Sequence, residues 1–230
     1  MQHKDYLQYK KTIERHCAEL PKGLQCPLMY EAHRWGVSRF AWSIMTVANA
    51  TEILQLLFKQ RSFDMIVSMG AGAGYVEHTF RQAAQELEQP LQVLAFDDNP
   101  PRNCHVEVSK GSPSAIATLG DQSGSILLLC WPPFGDAHTT STMASDATTA
   151  FVAQGGKYMI YIGDVHATGD CKFHELLWSN WELYPETQWF QPLEVWVPES
   201  MGLLYGGYDS IGVYKLRDKP LPPPSTTSTS

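Results

Sequence analysis

Along the chain, the spacing of apolar residues changes period several times. Residues 4–20 are mostly polar with helical spacing, and Pro21 and Gly23 stop them. In 42–58, Ile44, Val47, Ala48, Ile53, Leu54, Leu57 and Phe58 recur at helical intervals and predict an amphipathic helix. Residues 63–69, mostly apolar but carrying Asp64 and Ser68, then read as a buried strand and lead into Gly70-Ala71-Gly72-Ala73-Gly74. Further on, the pattern predicts helices at 75–89, 112–119, 142–154 and 171–180. It predicts strands at 91–96, 106–108, 125–130 and 157–162. Between 188–197 and 210–216 no helical period intervenes, so these two segments are expected to be strands paired as a hairpin.

From about 63 to 180 strand and helix alternate. This implies an α/β fold, a Rossmann-like sheet of seven strands that is mostly parallel and ends in an antiparallel hairpin strand. Residues 125–130 are the most apolar and are expected at the sheet centre. The expected division is an N-terminal helical arm and covering segment over 1–60, a core over 61–218, and a tail over 219–230 that is disordered by composition. A ligand should sit beyond the carboxyl ends of the strands.

Composition narrows the partners. The net charge is −7, split as +3 over residues 1–40 and −10 over 41–230. An acidic body is a poor surface for duplex nucleic acid. The one basic cluster is Lys4, Lys10, Lys11, Arg15, Lys22, Arg34 and Arg39, which reads first as a solvated helix face. Five cysteines, an odd number without Cys-x-x-Cys, argue against a disulfide framework or structural zinc. Without an apolar signal segment or a long apolar run, the expectation is a cytoplasmic protein with no membrane partner.

The glycine run follows a strand and opens a helix, the context in which such loops bind ligands. A dinucleotide loop has the spacing G-x-G-x-x-G, and here position 75 is Tyr. The run instead resembles the E/D-x-G-x-G-x-G loop of the S-adenosylmethionine-dependent methyltransferases. In those enzymes an acid closing the next strand holds the ribose hydroxyls. Asp97 stands there, 23 residues after Gly74, with Asp98 as a second candidate. By the same resemblance Ser68, Gly70, Gly72, Gly74 and Gly111 belong to the cofactor site. Ser68 is a departure, since most of these enzymes have an acid there, near the methionine amino group.

Cys130-Trp131-Pro132-Pro133-Phe134 ends the fourth strand, where amino-group methyltransferases place D/N-P-P-Y/F. In that motif the acid or amide accepts from the target amine, the prolines stiffen the loop, and the aromatic ring contacts substrate or sulfonium. The resemblance makes Trp131, Pro132, Pro133 and Phe134 the catalytic candidates. Trp131 is a second departure, because indole N–H only donates. The plain alternatives are a glycine turn without ligand and a packed Trp capped by a Pro-Pro turn.

Taken in order, the segments at 38–44, 70–75, 94–97, 128–134 and 161–164 resemble a family of methyltransferase-like proteins of bacteria and fungi. The resemblance spans about 38–216. It implies S-adenosylmethionine as cofactor, and it makes Phe40 and Trp42 pocket residues in a covering segment. The chain departs from that pattern at Met45, Ala73, Asp164 and His166-Ala167-Thr168-Gly169-Asp170-Cys171. The function expected is methyl transfer to nitrogen or oxygen of a planar or small substrate, a small molecule or one that is nucleotide-like. The competing expectations are a catalytically degenerate binding module and, more weakly, a dinucleotide oxidoreductase. Asp164 or His166 is the candidate general base. His166, Asp170, Cys171 and His174, with Cys-x-x-His at 171–174, are read as metal ligands only if all four converge, the same loop suits a substrate mouth, and no metal is expected.

Overall fold

A computed structural model describes residues 11, 15, 41–43, 45–135, 141–184 and 210–221. The expected helix over 4–20, Phe40, the strand expected over 188–197 and the tail beyond 221 lie outside the described residues, as does most of the basic arm.

The elements follow in chain order as α1 (Val47–Phe58), β1 (Met65–Met69), α2 (Tyr75–Glu86), β2 (Gln92–Asp97), β3 (Val108–Lys110) and α3 (Ser114–Ala117). Then come β4 (Ser125–Cys130), α4 (Met143–Ala153), β5 (Tyr158–Gly163), α5 (Cys171–Asn180), β6 (Trp181–Leu183) and β7 (Ser210–Leu216). The seven strands form one sheet in the order β3-β2-β1-β4-β5-β7-β6. β1 is parallel to β2 and β4, as are β3 to β2 and β5 to β4. β7 runs antiparallel between β5 and β6. The architecture is Rossmann-like, and the chain reverses its direction of growth between β1 and β4.

Alternation along each strand divides the core into two layers. Ile66, Ile126, Leu128, Ile160 and Ile162 face α1 and α2, packing with Ile53, Leu54, Val76 and Phe80. Val67, Leu127, Leu129 and Met159 face the other way, onto Ala144, Phe151 and Phe173 of α4 and α5. β4 is central as expected. Ile126 to Leu129 are fully buried, each contributing about 1.5–3 kcal/mol of apolar burial.

Several boundaries differ from the sequence pattern, two of them for reasons that specific hydrogen bonds give. α1 starts at Val47 rather than 42, because Thr46 and Asn49 form a reciprocal capping box that fixes the first turn. The third strand lies at 108–110 rather than 106–108, since His105 N–H is drawn to the Ala73 carbonyl at 2.7 Å and pins the preceding loop on the glycine run. β6 is a strand the pattern did not announce. Its three residues follow α5 directly, and Trp181 is buried against the α4–α5 layer.

Candidate functional site

The site lies at the carboxyl ends of β1, β2 and β4. Gly70, Gly72 and Gly74 all have positive φ, at 76°, 54° and 71°, a conformation that side chains disfavour. They differ in what surrounds them. A Cβ on Gly74 would lie 2.6 Å from Val106 Cγ2, and one on Gly70 would lie 2.8 Å from Met143 Cε. These two glycines let the loop be packed from both sides. At Gly72 nothing lies within 4 Å of such a Cβ, so the middle of the loop opens onto a notch.

The loop uses most of its own donors. Gly70 and Ala71 N–H donate to the Phe96 carbonyl at 2.9 and 3.0 Å, and Gly74 N–H donates to the Ala71 carbonyl at 2.8 Å. Gly72 N–H donates to Asp97 Oδ2 at 2.8 Å. Asp97 Oδ1 accepts from Asn99 N–H at 2.9 Å. The carboxylate closing β2 therefore faces the notch, while Asp98 is exposed. Each Asp97 oxygen keeps a lone pair for a further donor.

Gly111 has a packing role. Its N–H donates to the Asp97 carbonyl at 2.9 Å, and a Cβ there would lie 2.9 Å from Phe96 Cδ1. It holds the turn after β3 tight against β2 and so supports Asp97.

Ser68 supplies no charge, but it is not alone. Its hydroxyl donates to Glu77 Oε1 at 2.5 Å. Glu77, in the first turn of α2, is 1% exposed, and its buried Oε2 has no hydrogen-bond partner among the described residues. Burial pushes the carboxyl up to about 7, opposed by the bonds from Ser68 and from its own backbone N–H and assisted by the nearby Asp97 charge. Thus an acid does lie beneath the glycine loop, contributed by the helix rather than the strand. Sequence reasoning missed it, although the signal was present. Glu77 precedes Phe80 by three residues and Ala84 by seven, which puts it on the buried stripe of α2.

Trp131 follows β4 with φ at 49°, unusual for a bulky residue. Its N–H donates to the Ile162 carbonyl at 2.8 Å. Its ring stacks on that of Trp42 with centroids 5.3 Å apart and planes 17° from parallel. The segment before α1 therefore covers the end of β4. Trp42 is 56% exposed and Phe134 is 42% exposed, so the rim of the site is aromatic. Pro132 is buried and Pro133 exposed. The Pro132 carbonyl accepts from Gly169 N–H at 3.0 Å, and Gly135 is bonded to both Gly169 and Cys171. The Pro-Pro loop is thereby laced to the loop after β5.

The residues of that second loop are committed to structure. Asp170 caps α5 through Phe173 N–H and also accepts from Ser145 N–H, both at 2.9 Å. His174 Nε2 pairs with the Thr168 carbonyl at 2.8 Å, and Cys171 is exposed. Among the described residues no three His, Cys, Asp or Glu side chains converge on a metal position. Asp164 is buried at the end of β5, where its Oδ1 accepts from His166 N–H at 2.8 Å. A separate cleft of ≈ 620 Å³ lies behind the loop, between α2 and the outer edge of β2, lined by Arg81, Gln85, Gln89, Leu94 and Glu107. It holds none of the proposed site residues.

No protein-family model matches the chain, and no curated protein matches it. Among the described residues no helix is long and apolar enough to cross a membrane.

Proposed function

We propose that the chain binds S-adenosylmethionine at the glycine loop and transfers its methyl group to nitrogen or oxygen of a planar or small substrate. The observation that carries this reading is the hydrogen bond from Gly72 N–H to the Asp97 carboxylate. A pyrophosphate needs free loop N–H groups and positive surroundings. Here most of the loop donors are spent on the chain, and two carboxyl groups, Asp97 and Glu77, flank the loop. Such a notch favours a ligand that is cationic and rich in hydroxyl donors, and disfavours a dinucleotide.

The residues present fit the cofactor. Gly72 leaves room for close approach, Asp97 offers two lone pairs to vicinal hydroxyls, and the orphaned Glu77 oxygen seeks a donor. Bound there, the cofactor supplies a methyl group on a sulfonium sulfur. The Trp131-Pro132-Pro133-Phe134 loop, tied down by Gly169, presents a stiff aromatic wall on which a planar acceptor can stack. The Trp42 ring covers the end of β4 by its stack on Trp131.

A second reading, a binding module without turnover, draws support from the same loop. Trp131 occupies the acceptor position without an accepting atom, and the Pro132 carbonyl is engaged by Gly169.

Isothermal titration with S-adenosylhomocysteine and NAD tests the cofactor reading. Binding of the first and not the second is expected; binding of NAD alone overturns the reading. A screen with methyl-labelled cofactor then separates turnover from mere binding.

A further inference from the structure

We propose that the segment from Arg217 to Pro224 is a recognition sequence for a partner protein of the SH3 kind, whose binding groove is lined by aromatic side chains and rimmed by acid. The inference is independent of the cofactor reading.

The sequence supplies the pattern. Arg217-Asp218-Lys219-Pro220-Leu221-Pro222-Pro223-Pro224 holds two x-Pro pairs, Lys219-Pro220 and Pro222-Pro223, three positions apart. A cation, Arg217, stands three positions before the first proline of the pairs. Each proline ring locks its own φ, so a run this dense favours the polyproline II helix, with about three residues per turn. In that helix Arg217, Pro220 and Pro223 share one edge. An aromatic groove takes the two x-Pro pairs in neighbouring pockets, and an acid at its end pairs with the cation. Such a strand loses little freedom on binding, because its prolines already restrict it. Pro222 to Pro224 lie outside the described residues and enter through the sequence alone.

The fold presents the start of this segment outward. The segment leaves β7, whose Lys215 is in register with Tyr158 at the amino end of β5. That is the opposite end of the sheet from the glycine loop and the Trp131 loop, so a docked partner leaves the candidate site open. Asp218, Lys219, Pro220 and Leu221 are all exposed. Arg217 N–H donates to the Asn180 carbonyl and Leu221 N–H to the Ser179 carbonyl, both at 2.8 Å. These two bonds tack the backbone to the end of α5 and leave the side chains between them in solvent. Trp178, next to Ser179, is 71% exposed, a further apolar side chain at the same end of α5.

Charge points to the same kind of partner. Lys215, Arg217 and Lys219 stand against Asp218 alone, within a body whose net charge is −10 over residues 41–230. A local cationic stretch on an acidic body complements an acid-rimmed groove. Arg217 Nε is buried with no hydrogen-bond partner among the described residues. The chain bends at Asp218 and Lys219, so docking as a straight polyproline strand opens that bend and turns Arg217 toward the partner's acid.

The test is a titration of the full chain into isotope-labelled SH3 domains that prefer Arg-x-x-Pro-x-x-Pro ligands, with a WW domain run beside them. We expect saturable shifts confined to the aromatic groove of the SH3 domains. Pro220→Ala combined with Pro223→Ala should weaken binding by about tenfold or more, and so should Arg217→Glu. The proline variant should keep the wild-type Tm and the wild-type response to S-adenosylhomocysteine. No binding to the SH3 domains, binding that survives both proline substitutions, or binding to the WW domain alone would overturn the proposal. Equal binding by Arg217→Glu and wild type would contradict the acidic rim. Should Arg217→Glu unfold the chain, the proline variant decides by itself.

Discussion

Ser68 Oγ donates to Glu77 Oε1 across 2.5 Å, joining β1 to the first turn of α2 in the interior of the fold. The carboxyl there is pushed from 4.5 to about 7, so the folded state prefers its proton. The stability it contributes is full below the unfolded value, near pH 4.5, and is lost as pH rises through about 7. Two and a half units correspond to about 3 kcal/mol. Glu77→Gln carries no such burden. Urea denaturation should find the variant little different from wild type at pH 4.5 and about 3 kcal/mol more stable at pH 8. An equal difference at both pH values would mean that the carboxyl is not perturbed in the fold.

The three loop glycines should not be equivalent. Gly74→Ala forces both a left-handed alanine and a methyl group into Val106, and should cost about 2 kcal/mol or more. Gly72→Ala pays only for the backbone, about 1 kcal/mol, yet it puts a methyl group in the notch. It should therefore abolish S-adenosylhomocysteine binding in a chain that still folds. Denaturation curves paired with titrations separate the two effects; a Gly72→Ala chain that still binds, or a Gly74→Ala chain of unchanged stability, would reverse the assignment.

Trp131 holds a left-handed conformation. Replacement by Gly and by Ala both remove the stack on Trp42, but only Gly relieves the backbone. Trp131→Gly should be more stable than Trp131→Ala by about 1 kcal/mol, read as a higher Tm. Equal Tm values would indicate that the loop relaxes once the ring is gone.

Asp170 ties three elements together through Phe173, Ser145 and the chain after the Pro-Pro loop. Asp170→Ala removes a cap and leaves a second buried N–H without an acceptor, which should cost about 2–4 kcal/mol. Hydrogen exchange should show the first turn of α5 opening first.

Much of this was legible in the sequence, because buried strands write themselves as short, mostly apolar runs. β1, β4 and β5 are of that kind, and β4 lies at the centre as its composition demanded. The glycine run and Asp97 were legible because the constraint on each is local: a positive φ, or the end of a strand. What the chain hid were relationships over distance. Trp42 and Trp131 are 89 positions apart, and nothing in the spacing says that they stack. Glu77 does not stand out in the sequence, because its partner Ser68 lies on the strand before the glycine loop. β6 escaped because three residues are too few to show a period. The start of α1 was misplaced because periodicity extends past a cap, whereas Thr46 starts the helix by hydrogen bonding.

The most direct test of the central claim is a crystal structure of the chain grown with S-adenosylhomocysteine. The account predicts the ligand in the notch at Gly72, with its ribose hydroxyls on the Asp97 carboxylate and its thioether facing Trp131. Ligand found instead in the cleft between α2 and the edge of β2, or no ligand bound at millimolar concentration, would contradict it.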